Sequence, residues 1–84
     1  MKISINANLK CIVDTHKDHC FEEPPHCHIT HRGERMAQIW LDPVRVQPGC
    51  KLDRRELMLA LEVVEANRHT LEQEYLNNRF CGAD

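Results

Sequence analysis

The segment Pro24-Pro25-His26-Cys27-His28-Ile29-Thr30-His31 sets the interpretation of the whole chain. Its two prolines have a fixed φ and lack a donor N–H, so the chain enters the segment extended rather than helical. The residues that follow alternate as in a β-strand, with Cys27 and Ile29 on one side and His26 and His28 on the other. Because an apolar strand face normally packs on a core, we expect the two imidazoles side by side on an exposed face.

Alternating residues and turn signals predict further strands around this one. The approximate strand ranges are 2–5, 9–14, 26–31, 36–41 and 44–46. Asn6-Ala7-Asn8 is expected to turn the chain, because an Asn side chain bonds to nearby backbone groups. Arg32-Gly33-Glu34 is expected to form a hairpin turn, because Gly33 adopts a positive φ without strain. Residues 16–23 show no clear period, and we interpret them as a loop.

One long helix is predicted over about residues 53–79. Asp53 and Glu56 have the spacing of a capping box, in which each side chain accepts a hydrogen bond from the other residue's backbone N–H. Apolar residues then recur at helical steps: Leu57, Leu61, Val64, Leu71 and Tyr75. At 1.5 Å per residue such a helix would be roughly 40 Å long. We therefore expect its second half to fray or to contact a partner, including a second copy of the chain.

These elements predict a single α+β domain over residues 1–84. In it, a small antiparallel β-meander of three or four strands packs against one long C-terminal helix. No apolar run is long enough to cross a membrane, and we recognise no signal-peptide pattern. We therefore expect a cytoplasmic protein with its five cysteines mostly reduced.

The net charge of −2 conceals a basic middle. Residues 26–55 contain six Lys or Arg and three acids, whereas residues 56–84 contain two Lys or Arg and six acids. The basic middle permits an anionic partner such as RNA. The charge does not require one, because dedicated nucleic-acid binders are usually more basic overall.

His26 and His28 suggest a metal site, because two imidazoles on one strand face suit zinc or another divalent ion. His19, or else His16 or Cys20, would complete the site from the preceding loop. The sequence has no Cys-x-x-Cys pair and no carboxylate at a diagnostic spacing. The alternative is an exposed pair of histidines that make ordinary hydrogen bonds.

The same two histidines also suggest acid–base catalysis, because imidazole titrates near neutral pH. RNA transesterification needs such a pair and a cation for the charge that develops on the phosphate. Arg32 and Arg35, or the Arg54–Arg55 pair, would supply the cation. The alternative is that Arg32 and Arg35 are solvated hairpin residues.

Trp40 and Met36 suggest a partner-binding surface. In a simple hairpin register both lie on the face of His26 and His28, and exposed Trp and Met side chains are typical of interaction patches. The alternative is that Trp40 folds over an edge of the sheet and seals the core.

The order of these motifs resembles a family of small bacterial proteins known as domain of unknown function 4160. The resemblance extends from Leu9 to about Arg79 and rests on Pro-Pro-His-x-His-Ile, the Gly-centred hairpin, the apolar strand and Leu-x-Arg-Arg-x-Leu. Asp18-His19 resembles a dipeptide that the family often carries before its prolines, although the loop after it is longer here. Cys27 stands where the family usually has an aromatic residue.

Members of that family are often encoded beside another very small protein, in the manner of toxin–antitoxin pairs. The resemblance therefore implies a bacterial or phage origin and a small protein partner, but no known reaction. Two functions are expected as alternatives. The first is a small cytoplasmic component of a toxin–antitoxin-like module that acts through the His26/His28 face on RNA or on a partner protein. The second is a non-catalytic metal-binding or protein-interaction module.

Overall fold

The computed structural model describes residues 1–13 and 24–77. They form an α+β fold of five strands followed by two helices. The elements are β1 Lys2–Ser4, β2 Leu9–Ile12, β3 His26–His31, β4 Glu34–Leu41, β5 Val44–Val46, α1 Arg54–Ala66 and α2 Arg68–Asn77. Neither helix has the length and apolar composition that a membrane crossing requires within these residues.

Each strand pairs antiparallel with its neighbours in the chain, so the sheet order is β1-β2-β3-β4-β5 and β3 is central. The predicted number of three or four strands is too low, because the short outer strands β1 and β5 also pair. The ranges predicted for β3 and β5 are confirmed. The strand predicted over 36–41 begins earlier, at Glu34, because Glu34 and Arg35 continue the pairing up to the hairpin turn.

Local geometry closes the predicted turns. Asn6 Oδ1 accepts hydrogen bonds from the backbone N–H groups of Asn8, at 2.9 Å, and Leu9, at 2.8 Å. Between β3 and β4, Arg32 and Gly33 have φ of 51° and 86°. Two successive positive φ angles match the twist of a two-residue hairpin, so Arg32 shares the conformation that was predicted for Gly33 alone.

One face of the sheet forms the hydrophobic core with both helices. Cys27 and Ile29 are fully buried there, as the alternation of the strand predicts. The other buried apolar residues are Leu9, Cys11, Val13, Ala37, Ile39, Leu41, Leu52, Ala60, Val64 and Leu71. Leu57 and Leu61 pack at the margin of this core and are only half-buried.

The described cysteines are free thiols, namely Cys11, Cys27 and Cys50. Cys11 and Cys27 lie on neighbouring strands and are both fully buried. The hydrogen bond between their side chains, together with burial, raises the pKa of Cys27 well above its usual range. Cys27 is therefore a neutral core thiol rather than a nucleophile.

The start of the predicted helix is confirmed. Asp53 Oδ1 accepts a hydrogen bond from the Glu56 N–H at 2.8 Å, and Glu56 Oε1 accepts one from the Asp53 N–H at 3.1 Å. This is the complete capping box that the spacing predicts.

The prediction of one continuous helix over 53–79 is wrong, because α1 ends at Ala66 and Asn67 is its C-cap. Asn67 Nδ2 donates to the Val63 carbonyl at 2.8 Å, and the Asn67 N–H is shared between the carbonyls of Val63 and Val64. A short polar side chain that bonds to the preceding turn competes with the helical hydrogen bonds. After the break, α2 contacts β3 and β4 and buries Leu71. The second half of the helical segment thus packs on the sheet.

Candidate functional site

The sheet face that points away from the core carries the candidate site, and we call it the outer face. The strand register places these residues on it: Lys2, Ser4, Lys10, Ile12, His26, His28, Thr30, Arg35, Gln38, Trp40 and Arg45. They include four Lys or Arg, and no Asp or Glu occurs among these described strand positions. These described strand positions are therefore net positive, on a chain with a net charge of −2.

Three side chains form a row across one end of the outer face. His26 on β3 pairs with Trp40 on β4, which in turn pairs with Arg45 on β5. The rings of His26 and Trp40 meet edge to face, with their centroids 5.7 Å apart. The row places an imidazole, an indole and a guanidinium side by side.

His26 lies among other aromatic rings. Its ring centroid is 5.0 Å from that of Tyr75, which α2 brings to the start of β3. Its Nδ1 lies 3.1 Å from the Pro24 carbonyl oxygen. Since a carbonyl oxygen only accepts hydrogen bonds, Nδ1–H is the donor, and a neutral His26 presents Nε2 as an acceptor.

His28 is adjacent to His26, as predicted, with the ring centroids 5.4 Å apart. The expectation that both imidazoles are exposed is wrong for His28, which is only 8% exposed. Thr30, two residues further along β3 on the same face, is also buried, at 5% exposed, so the middle of β3 is covered on this face as well. Of the two histidines, only His26 is half-exposed.

Arg32 and Arg35, the predicted catalytic cations, lie at the hairpin end of β3. Arg32 occupies the turn, where its Nε donates to Asn8 Oδ1 at 3.3 Å. Arg35 pairs with Thr30. At about 3.3 Å per residue, the four steps along β3 from Thr30 to His26 span about 13 Å. The structure therefore does not bring these two arginines to His26.

Arg45 is the arginine that the structure places in the row of His26 and Trp40, and sequence reasoning did not select it. The signal was present, because Val44 and Val46 flank Arg45. The two valines pair with the core residues Leu41 and Ile39. Strand alternation then directs Arg45 to the opposite face.

Met36 and Trp40, the predicted partner-binding residues, do not share the simple strand register that was expected. The register of β3 and β4 shifts between Ile29 and Thr30, which leaves Met36 out of the simple register. Met36 is half-buried against the core, and its carbonyl accepts a hydrogen bond from the Lys51 N–H at 2.7 Å. Trp40 keeps its expected position on the outer face.

A surface cavity of about 160 Å³ adjoins Trp40 and is lined by Pro24, Trp40, Asp42, Pro43 and Arg45. Arg68 Nη1 on α2 donates to Asp42 Oδ1 at 3.4 Å. Both side chains of this ion pair are exposed, so it contributes little to stability. The cavity thus combines an indole and two proline rings with one carboxylate and one guanidinium.

Only part of the predicted metal site lies within the described residues. Across residues 1–13 and 24–77, no three His, Cys, Asp or Glu side chains are grouped so that they could hold a metal ion. His26 and His28 would supply two ligands. His19, the predicted third ligand, and the alternatives His16 and Cys20 lie outside the described residues, so a zinc site stays a prediction.

Comparison with known proteins gives one match. A family described as Domain of unknown function (DUF4160) matches residues 12–75 of the chain. That range includes the Pro24-Pro25 entry to β3 and the row of His26, Trp40 and Arg45. A search of the curated proteins and a search of the solved structures each found no match to the chain.

Proposed function

We propose, from the premise that this chain belongs to the DUF4160 family, that its outer face binds single-stranded RNA. The observation that carries the proposal is the row of His26, Trp40 and Arg45 on a face whose described strand positions include four cations and no carboxylate.

Each part of the outer face suits a different part of an RNA strand. Exposed cations attract phosphates, and the release of counterions supplies much of the binding free energy. An aromatic side chain on a sheet surface stacks on an unpaired base, because every base has a flat π-face. Trp40 is the only tryptophan in the sequence and lies between His26 and Arg45. The row therefore offers a stacking surface with a phosphate contact beside it.

The geometry supports binding of RNA over its cleavage. Transesterification needs two accessible acid–base groups and a nearby cation. His28 is only 8% exposed, and Arg32 and Arg35 lie at the far end of the hairpin. Arg45 would supply a cation on the same row as His26, but the second histidine of the predicted pair is not accessible.

The proposed setting is a bacterial two-gene module in the cytoplasm, since the family resemblance implies a small partner protein. That partner is proposed to bind the helical side of the molecule rather than the outer face. Met58 and Leu59 on α1 are 63% and 39% exposed. Neighbouring exposed apolar side chains of this kind are typical of protein-binding surfaces.

Intrinsic fluorescence of Trp40 provides the first test of RNA binding. Titration with a short oligouridylate should quench this fluorescence, because the indole stacks on a base. In parallel, anisotropy of labelled RNA should show weaker binding by Arg45→Gln, which loses a phosphate contact. Arg55→Gln, with the same charge change at the start of α1, is the matched control and should bind like the parent.

The proposal would be contradicted if no RNA bound at low salt. It would also be contradicted if Arg45→Gln and Arg55→Gln lost the same amount of RNA affinity. The recovered RNA should be intact on a gel. Cleavage that survives chelation would instead support the predicted acid–base role of His26 and His28.

The partner protein is tested by co-expression with the product of the adjacent gene. Met58→Glu should abolish co-purification of that product while RNA binding stays unchanged. If Arg45→Gln abolishes co-purification and Met58→Glu does not, the partner binds the outer face and the proposed arrangement of the two surfaces is wrong.

A further inference from the structure

We infer that the cavity beside Trp40 is a guanine-binding subsite of the RNA surface. The inference rests on the proposed function and extends it, because it names the base that is selected. The cavity has a volume of about 160 Å³, and Pro24, Trp40 and Pro43 contribute its flat apolar walls. Such walls suit a planar aromatic base that stacks on the indole.

Asp42 supplies the chemical basis for selection, because its carboxylate lines the same cavity. An ionised carboxylate only accepts hydrogen bonds, and its two oxygens accept from two adjacent donors. Guanine presents two such donors on its Watson–Crick edge, N1–H and the N2 amino group. Adenine and cytosine present a ring-nitrogen acceptor beside their amino group, and uracil places one N–H between two carbonyls. Guanine is therefore the base whose edge complements Asp42.

Arg45 and Arg68 make the carboxylate compatible with an anionic ligand. Arg45 lines the cavity, and its guanidinium would bind a phosphate of the same nucleotide. Arg68 Nη1 donates to one oxygen of Asp42 at 3.4 Å, which orients the carboxylate and partly neutralises it. A carboxylate oxygen has two lone pairs, so this contact leaves acceptor capacity for the base.

The test compares oligouridylates that differ only in one central nucleotide. A central guanosine should bind about tenfold more tightly than a central adenosine or cytidine, the typical discrimination of one bidentate pair. Inosine lacks the N2 amino group, so a central inosine should lose most of this gain. This comparison uses the unaltered protein and does not depend on how any variant folds.

Asp42→Asn should remove the preference for guanosine, because an amide offers one acceptor and one donor in place of two acceptors. Glu62→Gln carries the same charge change on α1 and should keep the preference. Circular dichroism checks that Asp42→Asn is folded.

The outcomes separate this inference from the proposed function. Binding of oligouridylate with no difference among central nucleotides would overturn the guanine subsite and leave RNA binding intact. An unchanged preference in a folded Asp42→Asn variant, or equal binding of guanosine and inosine, would overturn it as well. If none of the RNAs binds, the proposed function itself fails.

Discussion

His26 and His28 are two residues apart on the same face of β3, yet their surroundings differ. His26 is half-exposed at the end of the strand, whereas His28 is 8% exposed in the middle of the central strand. The free energy of unfolding should therefore respond differently to the loss of each imidazole.

We expect His28→Ala to lower the free energy of unfolding by about 1–3 kcal/mol, because it removes a buried side chain from a packed site. His26→Ala should change it by about 0.5 kcal/mol or less, as partly exposed positions usually do. Chemical denaturation of both variants measures the difference. Equal effects would mean that the two side chains are buried alike.

The thiols provide a second comparison at the scale of single residues. Cys27 is fully buried and its pKa is raised, whereas Cys50 is half-buried. Alkylation needs an accessible thiolate. In the native protein iodoacetamide should therefore label Cys50 and leave Cys11 and Cys27 unmodified, and all three should react in denaturant. Peptide mass mapping identifies the labelled sites, and native labelling of Cys27 would contradict its burial.

At the scale of elements, the start of α1 depends on its capping box. Asp53→Ala should lower the free energy of unfolding by about 1 kcal/mol, because the Glu56 N–H loses its acceptor. Glu62→Ala removes the same charge from an exposed position within α1 and should have a smaller effect. Thermal unfolding compares the two variants. Identical melting temperatures would show that the cap does not stabilise the helix.

The packing of α2 can be tested with two leucines of the same helix. Leu71 is fully buried and Leu76 is 43% exposed. Leu71→Ala should lower the free energy of unfolding by about 2–5 kcal/mol, because it leaves a cavity in the core. Leu76→Ala should cost much less. If both leucines had the same small effect in urea denaturation, α2 would not pack on the core and would be frayed, one of the two alternatives that the sequence alone predicts.

The strands and the cap of α1 were predictable because they depend on local patterns. Alternation identified β3, and the spacing of Asp53 and Glu56 identified the helix start. The break at Asn67 was missed because the apolar stripe resumes at Leu71 after it. The available sign of a break was the pair of polar residues Asn67 and Arg68, which lies between the apolar residues Val64 and Leu71.

The candidate site was less predictable, because it depends on strand order and register. Alternation places His26 and His28 on one face, but it does not predict that His28 and Thr30 are buried on that face. The displacement of Met36 follows from a register shift in the pairing of β3 with β4, which no residue pattern predicts. Arg45 joins the site only once β5 pairs with β4.

At the scale of the whole molecule, the charges of the described strands and helices differ in sign. The described outer-face positions include Lys2, Lys10, Arg35 and Arg45 and no acid. The two helices, in contrast, carry five glutamates, namely Glu56, Glu62 and Glu65 on α1 and Glu72 and Glu74 on α2. Of the described surfaces, these strand positions should therefore attract a polyanion more than the helices do, although the net charge is −2.

This difference in charge predicts the salt dependence of RNA binding. Each phosphate contact to a single strand contributes about −0.7 to the slope of log K against log salt. Four outer-face cations therefore limit the slope to about −3. Anisotropy titrations between about 50 and 200 mM KCl measure it. A slope near zero would mean that the cations do not contact phosphates, and Arg45→Gln should reduce the slope by less than one unit.

The strand order of the sheet is also the order of the chain, and this has a kinetic consequence. Every strand pairing joins neighbours in sequence, so most of the sheet assembles by closing short loops, which costs little chain entropy. The β3–β4 hairpin, closed by Arg32 and Gly33, is the natural nucleus, and β2 must close the longest loop to join it. The contacts of α1 with β2 span most of the chain and should form last. Folding should therefore proceed from the β3–β4 hairpin outward, and the pairing of β2 with β3 should be slower because it joins residues further apart in the chain.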